Sequence, residues 1–386
     1  MMRIVAILER PVRLLGGPAN AVVNFSQHTV SLVAVVSDVI RHGKPLTGVA
    51  FNSIGRFAQS GILRDRMIPR VLAAPEDALL DQRGHLDPAA VLRHALCDEK
   101  PGGHGDRAGA AAAVELACWD LAAKLNDEPA YATIARHFGR DPAPLVSVYA
   151  AGGYYYPGGG LDALRDEMRR YLDLGYDAVK MKIGGVAQRD DLARIEAVID
   201  VVGADRVAVD ANGRFDRAAA TRWAATLAPY GLRWYEEPGD PLDFELNRAV
   251  IGCYAGTVAT GENLFSVPDV TNLVRYGGMR AGRDIFQMDA GLSYGLGEYV
   301  RMLELIEAHG FDRRCAYPHG GHMINLHIAA GLGLGGCESY PGVFQPFGGY
   351  CDGCVLRDGQ IVPTDAPGFG LERKPGLGEL ISELTR

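Results

Sequence analysis

A ladder of polar residues runs through the last two thirds of this chain at nearly constant spacing. Lys182, Asp210, Glu236, Glu262, Asp289 and His319 are separated by 28, 26, 26, 27 and 30 residues. Each closes or follows a short β-rich run: Ala178 to Ile183, Val207 to Asp210, Arg233 to Glu236, Thr257 to Thr260, Asp284 to Met288 and Arg314 to Tyr317. Amphipathic segments lie between such runs. In one of them Leu161, Leu164, Met168 and Leu172 form an apolar stripe that Gly175 stops. One strand and one helix per step is the pattern of repeated βα units, so a (β/α) barrel is expected from about Pro144 onward. Barrel strands end at a common mouth, which would gather the whole ladder into one place. An open doubly wound sheet uses the same alternation, but no glycine fingerprint follows its first strand. The string GLGLGG at 331–336 reads as close helix packing, and GGYYYPGGG at 152–160 as the loop after the first barrel strand.

The first hundred residues do not repeat. They carry a strand-like run from Ser31 to Val39, a loop from Gly48 to Arg56 and the polar, Gly-rich segment 97–107. An Ala-rich helix from Ala108 to Leu125 follows, with Val114, Ala117, Cys118, Leu121 and Leu125 at helical spacing. This half reads as an α+β domain. A hydrophobic fraction of 48% with 22% charged residues places the chain among ordinary globular proteins. Its net charge of −8, with no basic run, argues against nucleic acid as a partner. Arg3, Glu9, Arg10 and Arg13 interrupt the first apolar run, and no stretch is long enough to span a bilayer, so no membrane association is expected. Seven scattered cysteines suit reduced thiols and a cytoplasmic setting. The one CxxC, Cys351 and Cys354, lacks a second pair and is assigned no role.

Three carboxylates at one mouth repel unless a cation sits among them, and hard oxygen donors suit Mg²⁺. Asp210, Glu236 and Glu262 are the candidate metal ligands. Glu237 falls on the other side of its strand and is expected beside the site rather than on the metal. Lys180 and Lys182, two residues apart, face the barrel interior together and are expected to lower one another's pKa, which would make one a usable base. Asp289 beside His319 would set the imidazole tautomer and raise its basicity. Zinc held by His319, His322 and His327 is the weaker reading; His322 and His327 are expected in the core or behind the site.

These residues resemble the enolase superfamily, and within it the mandelate racemase subgroup, through ELACWDLAAK, VKMK, VDANG, EEP, GEN and PHGGH in order. The resemblance implies an α+β capping domain over 1–140, a (β/α)7β barrel over 141–354 and a C-terminal segment over 355–386 that returns to the cap. The strings EKPGGHG, YAAGGYYYPG, KMKIGG and ATGENLFS are similar to the D-tartrate dehydratase family. That likeness implies Asn52, Lys100 and Glu338 as substrate-binding residues, a small carboxylate as substrate and a homo-oligomer. Ile54 departs from it, standing where a polar Asn is expected. The implied chemistry is Mg²⁺-dependent: Lys182 removes the proton next to a carboxylate, and His319 with Asp289 protonates a departing hydroxyl. Racemisation of a 2-hydroxy acid on the same residues, and a non-catalytic metal-binding barrel, are the rival readings.

Overall fold

A computed structural model describes residues 2–16 and 18–386. The N-terminal layer is an antiparallel sheet of β1 (Ile4–Arg13), β2 (Thr29–Arg41) and β3 (Lys44–Phe51). Gly48 to Phe51 thus belongs to a strand rather than to the loop expected from Gly48 to Arg56. The ladder of β3 on β2, with Phe51 opposite Leu32, buries the apolar run Val49–Phe51. The helix Asp106–Leu125 lies against this sheet and is buried along nearly all of its length. Its alanines allow that approach. A methyl added at Gly48 would stand 2.1 Å from the Ala117 carbonyl oxygen.

The second part is a nine-stranded sheet. Five parallel neighbours follow one another in chain order after β4 (Val146–Gly152): β5 (Val179–Lys182), β6 (Val207–Asp210), β7 (Trp234–Glu236), β8 (Val258–Thr260) and β9 (Ile285–Phe286). On the other edge of β4 lie β10 (Cys337–Ser339), parallel, and the hairpin of β11 (Val355–Arg357) and β12 (Gln360–Val362). The run Arg314 to Tyr317 is not a strand. It forms a 3-10 turn over Arg313–Cys315, then a single bridge from Ala316 to Phe286. This segment nevertheless stands between β9 and β10, because Tyr317 N–H donates to the Phe286 carbonyl at 2.9 Å and Gly335 N–H to the Ala316 carbonyl at 3.2 Å.

Strand alternation sorts the side chains into two sets. Val179, Met181, Val207, Val209 and Tyr235 pack with the surrounding helices, whereas Ala178, Ala208, Trp234 and Ala259 cluster with Tyr149 on the opposite side. Lys180, Lys182, Asp210 and Glu236 share the second side by parity. Helices between the strands start where the sequence supplies caps: Asp216, Asp243 and Ser266 each accept a backbone N–H of the first turn. Gly175, at φ +99°, follows the end of Leu161–Asp173 as expected.

The C-terminal segment first extends the large sheet through β11 and β12, and turns to the N-terminal layer only near Gly368. There Phe369 N–H donates to Asp120 at 2.6 Å, and Arg10 pairs with Glu383 of the last helix at 2.8 Å. The two layers are also joined by Glu115, whose carboxylate accepts the Leu296 and Gly297 N–H groups at the start of the helix Leu296–Ala308. Among the described residues no helix is long and apolar enough to cross a membrane.

Candidate active site

Parallel register brings the ladder to one level. Lys182 stands opposite Asp210, and Asp210 opposite Glu236, so three strand ends present their polar side chains side by side. Glu262 follows β8 by two residues. One oxygen from each of Asp210, Glu236 and Glu262 lies within 4.8 Å of the others. Among the described residues this is the group able to hold a metal ion; the histidines form no such cluster. The donor set fits a hard divalent cation. Fit is also visible in the charges. Lys180 and Lys182 face Asp210, Glu236, Glu237, Glu262 and Glu338, a surplus of carboxylates over ammonium groups. Burial and then the neighbouring Asp210 charge push Glu236 up to about 8. Burial and then Glu262 raise Glu237 well above the carboxylate range.

Lys180 departs from the expectation. Lys180 is fully buried and bonded to Glu236 at 2.5 Å and Glu338 at 2.7 Å. Burial disfavours its charge, but those two carboxylates outweigh it and hold its pKa well above the ordinary lysine value. Mutual lowering between the lysines is therefore overturned for Lys180 by the acidic excess. Lys182 lies at 2.5 Å from Asp210, with its ammonium 5.2 Å from the centre of the Tyr154 ring. Burial alone would raise Asp210, yet Lys182 and Lys180 hold it down to about 2.

His319 faces this group from the segment after Ala316. Its Nδ1 is 3.1 Å from Asp289 Oδ2, and its Nε2 is 3.0 Å from the Tyr340 hydroxyl and 3.7 Å from Glu262. Asp289 is itself fixed: its Oδ1 accepts Gly291 N–H at 2.8 Å and the Asn325 amide at 3.0 Å. Burial opposes a charged imidazole, but Glu262, the hydrogen bond to Asp289 and Glu338 hold His319 up at about 9. His322 caps the helix Met323–Leu332 and contacts Ser53 at 3.0 Å, while His327 is enclosed, consistent with roles behind the site.

A cavity of about 310 Å³ opens where the two layers meet, and Lys182, Glu262 and His319 all line it. The N-terminal layer contributes Ile54 and Arg56 to the same cavity. Arg56 donates to Asn263 at 2.6 Å and lies over the Phe265 ring, and has no carboxylate in ion-pair range among the described residues. Glu237 reaches this cavity too, accepting from the Asn263 amide at 2.9 Å. Asn52 and Lys100 do not line it. The Asn52 amide oxygen is committed to Ser31 N–H at 2.6 Å inside the N-terminal layer, and Lys100 is exposed on its loop. Glu338 lies beneath the cavity, tied to Lys180 and to Gly320 N–H at 2.9 Å. Tyr340 and Arg56 carry no motif that marks them in sequence. Asn263 sits in the GEN string and was within reach.

The model of the enolase C-terminal domain-like family matches residues 163–376, more than half of the chain. The chain belongs to this family. Relatives include an arabinonate dehydratase of Saccharolobus solfataricus, 26% identical, with the match covering 69% of this chain and 70% of that protein. An L-talarate/galactarate dehydratase of Salmonella typhimurium is 27% identical over 67% of this chain and 61% of its own length. Among solved structures, a racemase from Streptomyces coelicolor with bound magnesium superposes with a TM-score of 0.78 at 22% identity, covering both chains fully. The enolase-superfamily resemblance read from the motifs is thereby shown.

Proposed function

We propose that this protein is a Mg²⁺-dependent hydro-lyase acting on a small hydroxy-dicarboxylate, with D-tartrate to oxaloacetate as its reaction. The reading rests on one observation: Lys182 and the Asp289-held His319 border the same small cavity as Glu262, one member of the acidic triad, and an arginine free of carboxylate partners among the described residues. A volume of about 310 Å³ lies at the low end for ligand sites, which favours a short acid. The dehydratase relatives support water elimination as the reaction type. We read the nine-stranded sheet, with Ala316–His319 filling the place between β9 and β10, as the (β/α)7β barrel, and the N-terminal layer as its cap.

Asp210, Glu236 and Glu262 would hold Mg²⁺, which supplies charge stabilisation to the carboxylate as it becomes an enediolate. Lys182 accepts the α-proton. His319 donates a proton to the β-hydroxyl, which leaves as water, and Asp289 stabilises the imidazolium that makes this donation possible. The enol then tautomerises to the 2-keto acid. Lys180, pinned between Glu236 and Glu338, holds positive charge beneath the carboxylates. Arg56 is placed to receive the second carboxylate, and Ile54 forms an apolar wall.

Incubation with Mg²⁺ and each tartrate stereoisomer, read as oxaloacetate formation, tests the proposal. D-tartrate should turn over, and Lys182→Ala should abolish turnover while retaining metal. Dehydration of a different acid with D-tartrate untouched would remove the substrate assignment. Inverted, deuterium-labelled substrate without keto acid in heavy water would establish racemisation instead.

A further inference from the structure

The CxxC pair, without a role in the reading above, is brought together by the fold. Cys354 N–H donates to the Cys351 carbonyl at 3.0 Å, and the two sulfurs lie 3.8 Å apart. Such a hydrogen-bonded turn keeps its end α-carbons within about 7 Å, the span a disulfide bridges. A disulfide requires the remaining gap to close to about 2 Å. The turn is held on its N-terminal side. Gly349 N–H donates to Gly321 at 2.8 Å, and the Tyr350 hydroxyl to the Glu338 carbonyl at 2.7 Å.

A buried lysine feels the charge of the pair. The buried Lys374 ammonium has no carboxylate in ion-pair range among the described residues and donates to Gln345 at 3.3 Å. Burial lowers the Lys374 pKa below the ordinary lysine value, and of the negative groups that oppose this Cys351 is the strongest, ahead of Asp352 and Cys354. A hydrogen bond from the Cys354 thiol, against some burial, draws the Cys351 thiol down to about 6. A low thiol pKa raises the share of nucleophilic thiolate. Cys351 itself is buried, 4% exposed, but Asp352 and Gly353 next to it at the tip are exposed and Cys354 is half-buried, so a small oxidant has to reach the Cys351 sulfur past the tip.

We propose that Cys351 and Cys354 form a hydroperoxide-reactive dithiol that closes reversibly to an intrachain disulfide. The Cys351 thiol ionises and its thiolate attacks one peroxide oxygen, the O–O bond breaks, and the released hydroxide takes up the proton that Cys351 gave to solvent, leaving as the first water. The Cys354 sulfur then attacks the sulfenic sulfur, the S–O bond breaks, and water leaves carrying the Cys354 proton. Both thiols are oxidised, and one hydrogen peroxide becomes two waters. A dithiol reductant reverses the bond by exchange.

The test uses the full chain with sub-stoichiometric to equimolar hydrogen peroxide, followed by alkylation and peptide mass mapping. A Cys351–Cys354 linked peptide, lighter by two hydrogens, should appear about tenfold faster than oxidation of the exposed Cys97 and Cys253, and disappear with dithiothreitol. In Cys354→Ser a dimedone-trapped sulfenic acid should accumulate at Cys351; in Cys351→Ser none should form at Cys354 at matched dose. Oxidation of Cys97 and Cys253 ahead of this pair, or its absence from the linked peptides, would overturn the proposal.

Discussion

Replacing Asp289 by Asn isolates the part of the chemistry assigned to His319. The carboxylate is fully buried, with one oxygen on Gly291 and Asn325 and the other 3.1 Å from His319 Nδ1. An amide can keep its oxygen on Gly291 and Asn325, so the local structure should survive. Its NH₂ then points at Nδ1, which can accept that bond only without a proton. The imidazolium needed to release a proton from Nε2 is disfavoured. A hydrogen bond to a charged group contributes about 1.5–3 kcal/mol, and each 1.36 kcal/mol is tenfold in rate, so dehydration should slow about 10- to 150-fold. Abstraction by Lys182 uses different atoms. In heavy water, recovered substrate should therefore gain deuterium at the α-carbon faster relative to dehydration than in the wild type. Oxaloacetate formation by continuous assay and substrate labelling by NMR measure the two steps. A dehydration rate within twofold of wild type would refute the assignment of Asp289 and His319, and an equal loss of exchange would refute the separation of roles.

Arg56→Gln should raise the KM for a dicarboxylate by about 10- to 100-fold, from the loss of one charge-assisted contact, with a much smaller effect on a monocarboxylic hydroxy acid. Glu115→Ala leaves the Leu296 and Gly297 N–H groups without their acceptor across the layers and should cost about 3 kcal/mol in denaturant unfolding. Burial raises Glu115 from 4.5 to about 7, so between those values the unfolded chain loses its proton first and stability falls as pH rises, levelling above 7. Glu115→Gln should remove that component from the difference in unfolding free energy against pH, and parallel curves would contradict it. Gly48→Ala should destabilise by about 3 kcal/mol and lower Tm, because the new methyl meets the Ala117 carbonyl at 2.1 Å.

How much of this was legible beforehand depended on range. The βα period placed Lys182, Asp210, Glu236 and Glu262 at strand ends, because one strand and one helix consume a nearly fixed length of chain. Where a segment kept little regular pairing the pattern misled. Arg314 to Tyr317 has strand composition but makes a single bridge, and Gly48 has the composition of a loop start although its lack of a side chain serves a strand–helix contact. Asn52 falls in an evident loop string, yet its amide turns inward to the backbone.

Sequence by itself determined the repeat, the candidate metal ligands and the acid–base candidates, since these are matters of residue type and local spacing. The tertiary structure alone decided the rest. It set Arg56 and Ile54 of one layer against Lys182 and His319 of the other, reversed the expected pKa effect on Lys180 by surrounding it with Glu236 and Glu338, and brought the Cys351 and Cys354 sulfurs to 3.8 Å. Each depends on groups distant in the chain or on a side chain's direction. Electrostatic shifts follow from summed neighbours in space, which no spacing along the chain encodes.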